Sequence, residues 1–157
     1  MIHKEEMHYT NAVLLESLRI SCTVYNALLH RITADISVGK YVIPKGAIVI
    51  PSLMNVLMDE RYFPNPHEFN PARFLNADGE FKPDEHVIPF SVGKRYCLGQ
   101  SLAEKNLFLF LTGIMSKFDI KPAPNQSLPS YHMNDTQQAT IVRAPPTFEI
   151  IFTSRTE

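Results

Sequence analysis

The sequence is short of cysteine, glycine and net charge, and it has no long apolar run. Each shortage removes a class of protein. The two cysteines among 157 residues, Cys22 and Cys97, stand too far apart for a zinc knuckle, and they exclude a disulfide-stapled scaffold. A reducing compartment fits them better. Six glycines against twelve prolines favour stiff, proline-punctuated coil over flexible linker. Lys plus Arg is 15 and Asp plus Glu is 16, a formal net charge of -1, which argues against a nucleic-acid coat and against a polybasic membrane patch. The polar stretch Met1 to Thr10 is not a signal peptide. The longest strongly apolar run, Leu107 to Leu111 extended by Ile114 and Met115, falls short of the ~20 residues a transmembrane helix needs and predicts a buried helix. No internal repeat or low-complexity tract is present.

What remains is a chain of one ordinary domain, 45% hydrophobic, with enough apolar surface for a core. The pattern predicts a helix from Thr10 to Ser21, capped by Thr10 or Asn11, with Ala12, Val13, Leu14, Leu15 and Leu18 giving a wide apolar face. Arg31 to Ser37 reads as strand. Tyr41 to Ile43 and Ala47 to Pro51 read as a hairpin around Pro44-Lys45-Gly46. Leu53 to Met58 predicts a short helix. From Asp59 to Pro89 prolines break every regular pattern, while Phe63, Phe69, Phe74 and Phe81 supply side chains to bury. That combination predicts an ordered meander. A second long helix follows from Leu98 to about Lys117. The β-rich runs Ala139 to Val142 and Thr147 to Phe152 suggest a terminal hairpin. The fold class is α+β, without βαβ alternation.

Cys97 carries the most chemistry. It precedes the second long helix, whose first amides lack internal partners and whose end bears partial positive charge. Both effects favour a thiolate, so a metal ligand and a nucleophile are open readings beside inert core. A nucleophile needs a histidine base, and the nearest in sequence is His86. Gly93 offers a positive φ to aim the loop. Gly99 lets a flat ligand lie against the helix start, and Arg95 offers a fork of donors to a carboxylate. Glu16 and Arg19 share a helix face, which on a surface is a weak ion pair. Cys22 reads as inert core. His3, His8, His67 and His132 show no metal-ligand spacing.

The run Phe90-x-x-Gly93-x-Arg95-x-Cys97-x-Gly99 resembles the haem-binding signature of the cytochrome P450 family of haem-thiolate monooxygenases. Glu16-Ser17-Leu18-Arg19 is similar to the E-x-x-R motif of that family's K helix, and Asn70-Pro71-Ala72-Arg73-Phe74 to its P-x-R-F motif, in the family's order. Wider phrases resemble the animal microsomal branch: Tyr41-Val42-Ile43-Pro44-Lys45-Gly46, Phe63-Pro64-Asn65-Pro66 and Leu107-Phe108-Leu109-Phe110-Leu111.

The resemblance implies the C-terminal part of a mainly helical fold: K helix, small β hairpins, meander, Cys loop, L helix and terminal β hairpin. It implies that residues 1–157 are one incomplete haem-binding portion of a single domain. Cys97 would be the axial thiolate of haem iron, with amides near Leu98 and Gly99 bonded to its sulfur. Phe90 would shield that sulfur, Ala103 would lie by the porphyrin, and Arg95, with His30 or Arg31, would face the haem propionates. Glu16, Arg19 and Arg73 would form a buried structural triad. Tyr25 to Leu29 and the Ala139 to Val142 tip align with substrate-pocket segments, although Leu28, Leu29 and Ile141 can equally be core. Lys94, Lys105 and Lys117 would face an acidic donor such as a flavoprotein reductase that passes NADPH electrons. The implied substrate is small and lipophilic, and the implied location is the cytosolic face of the endoplasmic reticulum membrane.

Departures exist. Animal members often have Pro where His8 and Leu29 stand and an acidic residue at Gln100. The family's chain is far longer, and its membrane anchor, its distal helix and most of its haem pocket are expected before the residue aligned with Met1. A partial gene model or truncated product is therefore expected, with its activity alone uncertain and a non-enzymatic fragment as the alternative.

Overall fold

The computed structural model describes residues 3–125, 137–139 and 142–155. Helix α1 runs His8–Ser21, starting two residues before the expected Thr10. Neither Thr10 nor Asn11 caps it: Met7 holds the cap position, and Asn11, buried inside the first turn, reaches back with Nδ2 to the Lys4 carbonyl at 2.7 Å. At its far end Cys22 adopts a left-handed conformation (φ 37°) and donates its N–H to the Leu18 carbonyl.

Short strands follow: β1 (His30–Arg31), β2 (Ile36–Val38), β3 (Tyr41–Ile43) and β4 (Ile48–Val49). Their pairing differs from the expected hairpin. Strand β3 pairs antiparallel with β2 through Gly39-Lys40, while β4 returns to β1, placing His30 opposite Val49 and Arg31 opposite Ile48. Pro44 has no N–H for a ladder, and Asp35 Oδ1 takes the Lys45 amide at 2.7 Å, so the chain leaves β3 at the point where a hairpin would continue. Helix α2 (Leu53–Leu57) starts at Ser52, whose Oγ accepts the Asn55 amide, and it buries Leu53 and Leu57.

The meander packs onto α1. Phe63 and Phe74 are both buried and meet edge to face, with centroids 6.4 Å apart, against Ala12. Burial of such a side chain contributes about 1.5–3 kcal/mol. Phe81 lies at the margin of this cluster. Phe69 does not join it and is 45% exposed. A 3-10 helix at Pro71–Phe74 begins at Asn70, whose side chain accepts the Ala72 amide.

Helix α3 (Gln100–Lys117) starts two residues later than expected, with Gly99 at its cap. Of its residues only Phe108 is buried, so the predicted buried helix instead exposes Leu107, Leu109 and Phe110. Strand β5 (Phe118–Pro122) leads from it. Strands β6 (Gln137–Ala139) and β7 (Val142–Ala144) pair with each other, and β8 (Ile150–Ser154) pairs with β5. The expected terminal hairpin is thus two separate pairings. Pro145 and Pro146 after β7 lack amides for a tight return, and β8 finds its partner across the sequence. His132, Thr140 and Ile141 lie outside the described residues. The described residues are mixed α and β, in small two-stranded sheets.

Candidate functional site

The loop from Pro89 to Gly99 is bent by local geometry. Ser91 (φ 65°) and Gly93 (φ 72°) both occupy the left-handed region, and Gly93 does so without steric cost. A Cβ at Gly93 would meet nothing within 4 Å, so glycine is required there for its backbone angle and not for space. A 3-10 turn, Gly93–Arg95, follows, and Cys97 N–H closes the loop by donating to the Phe90 carbonyl at 2.9 Å. The Cys97 carbonyl accepts the Gln100 amide, and the Gly99 carbonyl accepts Ala103. Cys97 is therefore fixed by its backbone while its thiol is exposed.

The thiol borders a depression of about 930 Å³, lined largely by apolar side chains including Val24, Leu28, Phe90, Ala103, Leu107 and Phe110. Arg95 and Lys94 supply its positive charge. A Cβ on Gly99 would stand 3.8 Å from Cys97 Sγ, so this glycine keeps the space beside the sulfur free. Among the described residues no group of three His, Cys, Asp or Glu could hold a metal ion. One soft sulfur donor on an apolar wall suits a metal that brings its remaining ligands with it, such as the iron of a flat macrocycle, and does not suit a protein-built cage. The residues present thus fit haem.

With α3 starting at Gln100, Leu98 and Gly99 precede the helix. His30 and Arg31 do not line the depression; His30 Nδ1 contacts the Leu28 carbonyl at 2.6 Å. Leu28 and Leu29 are exposed and not core. Phe90 is half-buried and Arg95 exposed. Lys94 and Lys117 flank opposite ends of α3, whose 18 residues span about 27 Å, so they do not form one patch. Among the described residues no histidine lines the depression, and His86 is engaged elsewhere, bonded to Asp84 at 2.8 Å and stacked on Tyr62 at 3.9 Å. These residues therefore give a nucleophilic Cys97 no base.

A second cluster lies beneath α1. Glu16 and Arg19 are wholly buried. Arg19 Nε and Nη2 donate to the two Glu16 oxygens at 2.7 and 2.9 Å, a bidentate pair. Arg73 Nε reaches Glu16 Oε1 at 3.2 Å, and the Asn70 amide reaches the same oxygen at 2.9 Å. The remaining guanidinium donors serve mainly main-chain carbonyls: Arg19 bonds Leu57 and Pro66, with its Nη1 also 3.8 Å from Met58 Sδ, and Arg73 bonds Pro64, Asn65 and Glu68. Arg19 also sits over the Phe63 ring, 5.2 Å from its centroid. One carboxylate between two arginines leaves a net positive hub, which these carbonyl dipoles offset. Cys22, at the end of the same helix, is 1% exposed; burial pushes its thiol up to about 11, partly opposed by Arg143.

The Asn70 contribution was not read from the sequence, although Asn before Pro at a helix start is a capping signal. The carbonyl acceptors of Leu57 and Pro66 leave no mark in side-chain identity.

The sequence model described as Cytochrome P450 matches residues 1–152. The chain belongs to the cytochrome P450 family. It is 41% identical over 156 residues to cytochrome P450 2C54 of Mus musculus, covering 97% of this chain and 30% of that protein. It is 42% identical over 153 residues to cytochrome P450 2C41 of Canis lupus familiaris, with the same coverage. Cytochrome P450 2C3 of Oryctolagus cuniculus is 42% identical over 154 residues. The chain spans about 30% of the length of the curated relatives it matches. No helix among the described residues is long and apolar enough to cross a membrane.

Proposed function

We propose that this chain is the C-terminal haem-binding portion of a cytochrome P450 domain, with α1 as its K helix and α3 as its L helix. The whole protein is then a haem-thiolate monooxygenase that inserts one atom of molecular oxygen into a small lipophilic substrate. A single observation carries the reading: an exposed Cys97 thiol, held by a glycine-bent loop, borders an apolar depression. Membership of the P450 family supports it.

Bound haem would supply iron for oxygen activation, its thiolate ligand donating electron density that favours O–O cleavage. Cys97 is the proposed ligand, and Gly93 sets the turn that presents it. Gly99 and Ala103 keep a flat ligand's approach clear, Phe90 covers one side of the sulfur, and Arg95 holds a carboxylate of the bound group. His30 or Arg31 would face the carboxylates of the same group. Glu16, Arg19 and Arg73 hold the meander on α1 and so keep the loop in register. Electrons come from NADPH through a flavoprotein reductase, with Lys94 and Lys105 as its contacts. The protein works at the cytosolic face of the endoplasmic reticulum, anchored by a segment outside these residues.

For the chain taken alone, the exposure of Cys97 and of the apolar α3 face favours a second reading: a non-enzymatic fragment that binds haem weakly or not at all. Carbon monoxide on the reduced intact protein is expected to give the red-shifted Soret band of thiolate ligation, and Cys97→Ala to abolish it. A band that survives the substitution removes the ligand assignment. The same spectrum on the chain alone separates the two readings.

A further inference from the structure

The ring of His8, the first residue of α1, makes a contact that a helix start does not require. The Phe81 N–H donates to His8 Nδ1 at 3.2 Å, joining groups 73 residues apart in the sequence. Phe81 is bridged to Leu75, and the next amide, Lys82 N–H, donates to the Phe74 carbonyl at 2.9 Å. The bond to His8 therefore lies on the strand-like return from the 3-10 helix that carries Arg73. An imidazole nitrogen accepts a hydrogen bond only through a free lone pair. Acceptance at Nδ1 puts the ring proton on Nε2, and a second proton on Nδ1 would set N–H against N–H across the same 3.2 Å.

From this geometry we infer that His8 is a proton-operated latch. Neutral, it ties the start of α1 to the meander at Phe81; protonated, it lets that segment go while the Glu16 hub stays closed. The charged groups around it sit on separate elements. Lys4 and Glu5, ahead of α1, and Glu104, on α3, line the same cleft as His8. The meander presents only Phe81 and Pro83 to that cleft, neither of them titratable. Glu80 and Lys82 flank Phe81 and are exposed, the Glu80 carboxylate being held by Asn76 at 3.1 Å. Glu5 and Glu104 accommodate a positive ring, and Lys4 opposes it. The latch does not depend on haem ligation, since none of its groups borders the Cys97 depression.

Hydrogen exchange of the Phe81 amide in the intact protein, corrected for intrinsic rate, tests it. Over a pH series that takes the ring from its neutral to its protonated form, protection should fall roughly tenfold, as for loss of one part-buried hydrogen bond. In His8→Asn, Oδ1 takes the place of Nδ1 as a non-titrating acceptor, so protection should stay level across that series. Level protection in the unmodified protein would overturn the latch without any variant. An equal fall in His8→Asn would overturn it too, by tracing the pH effect to another group.

Discussion

The hub under α1 and the Cys97 loop solve opposite problems. The hub is closed. Its Glu16 and Arg19 are fully buried, and the donors of Arg19 and Arg73 meet the Glu16 carboxylate, main-chain carbonyls or, for Arg19 Nη1, also Met58 Sδ. The Cys97 loop is open. Its cysteine, Arg95 and Tyr96 are exposed, and Leu98 is 92% exposed. The closed region holds the fold, and the open one leaves a reactive atom free to bind. The hub nonetheless fastens the chain at Leu57, Pro64, Asn65, Pro66 and Glu68, so it restrains the path along which the loop is reached. Disturbing the hub should therefore cost stability, and disturbing the loop should cost mainly ligation.

The largest effect is expected from Glu16→Gln. It leaves Arg19 and Arg73 facing each other without their carboxylate, a loss of about 3–5 kcal/mol for a broken buried pair. Arg73→Ala should cost less, about 2 kcal/mol, because its side chain is 11% exposed and water can reach the carbonyls it leaves. Denaturant midpoints order the two. Both variants should also lower the haem content of the intact protein, although neither residue borders the Cys97 depression. Normal haem content with an unchanged melting temperature in Arg73→Ala would dissolve the link between hub and loop.

Next in size is an alkaline effect at the hub's end of the comparison. The Cys22 thiol is pushed from its ordinary 9.0 up to about 11 by burial, partly opposed by Arg143. Between those values the unfolded chain has lost a proton that the folded chain retains. Stability must then fall as pH rises past about 9 and level off near 11, by about 2–3 kcal/mol in all. Subtracting the pH profile of Cys22→Ser, which cannot titrate there, isolates the slope. An identical profile in that variant means the buried thiol is not responsible.

Much of this contrast is legible in the sequence, and what is not has physical causes. The three helices follow from periodicity and turn residues, with ends displaced by two residues at most. Strand existence was readable, but strand partners were not. Strands of two or three residues carry little local signal, and the choice of β2 over β4 as the partner of β3 rests on Pro44 and on Asp35 capping Lys45. The spacing of Glu16 and Arg19 shows that they meet. It cannot show that they are buried, because burial comes from Phe63 and the meander, far along the chain. Gly93 and Gly99 announced a shaped loop around Cys97, whereas the open sulfur depends on side chains from α1, the following segment and α3 together.

The smallest expected effect separates two glycines of that loop. Gly93 has φ 72°, so Gly93→Ala forces a side chain into left-handed backbone, at about 1–2 kcal/mol, with open space around the new methyl. Gly99 has φ -85°, an ordinary conformation, so Gly99→Ala should cost only the cap preference for glycine over alanine, under about 1 kcal/mol. Its methyl would nevertheless stand 3.8 Å from Cys97 Sγ, within the space beside the sulfur. The expected outcome is a crossed result. Gly93→Ala lowers the melting temperature, while Gly99→Ala lowers it less and perturbs the Soret band of the intact protein. If Gly99→Ala were silent in the spectrum, the region beside the sulfur would not be where the ligand lies, and the open loop would lose its functional meaning while the closed hub kept its structural one.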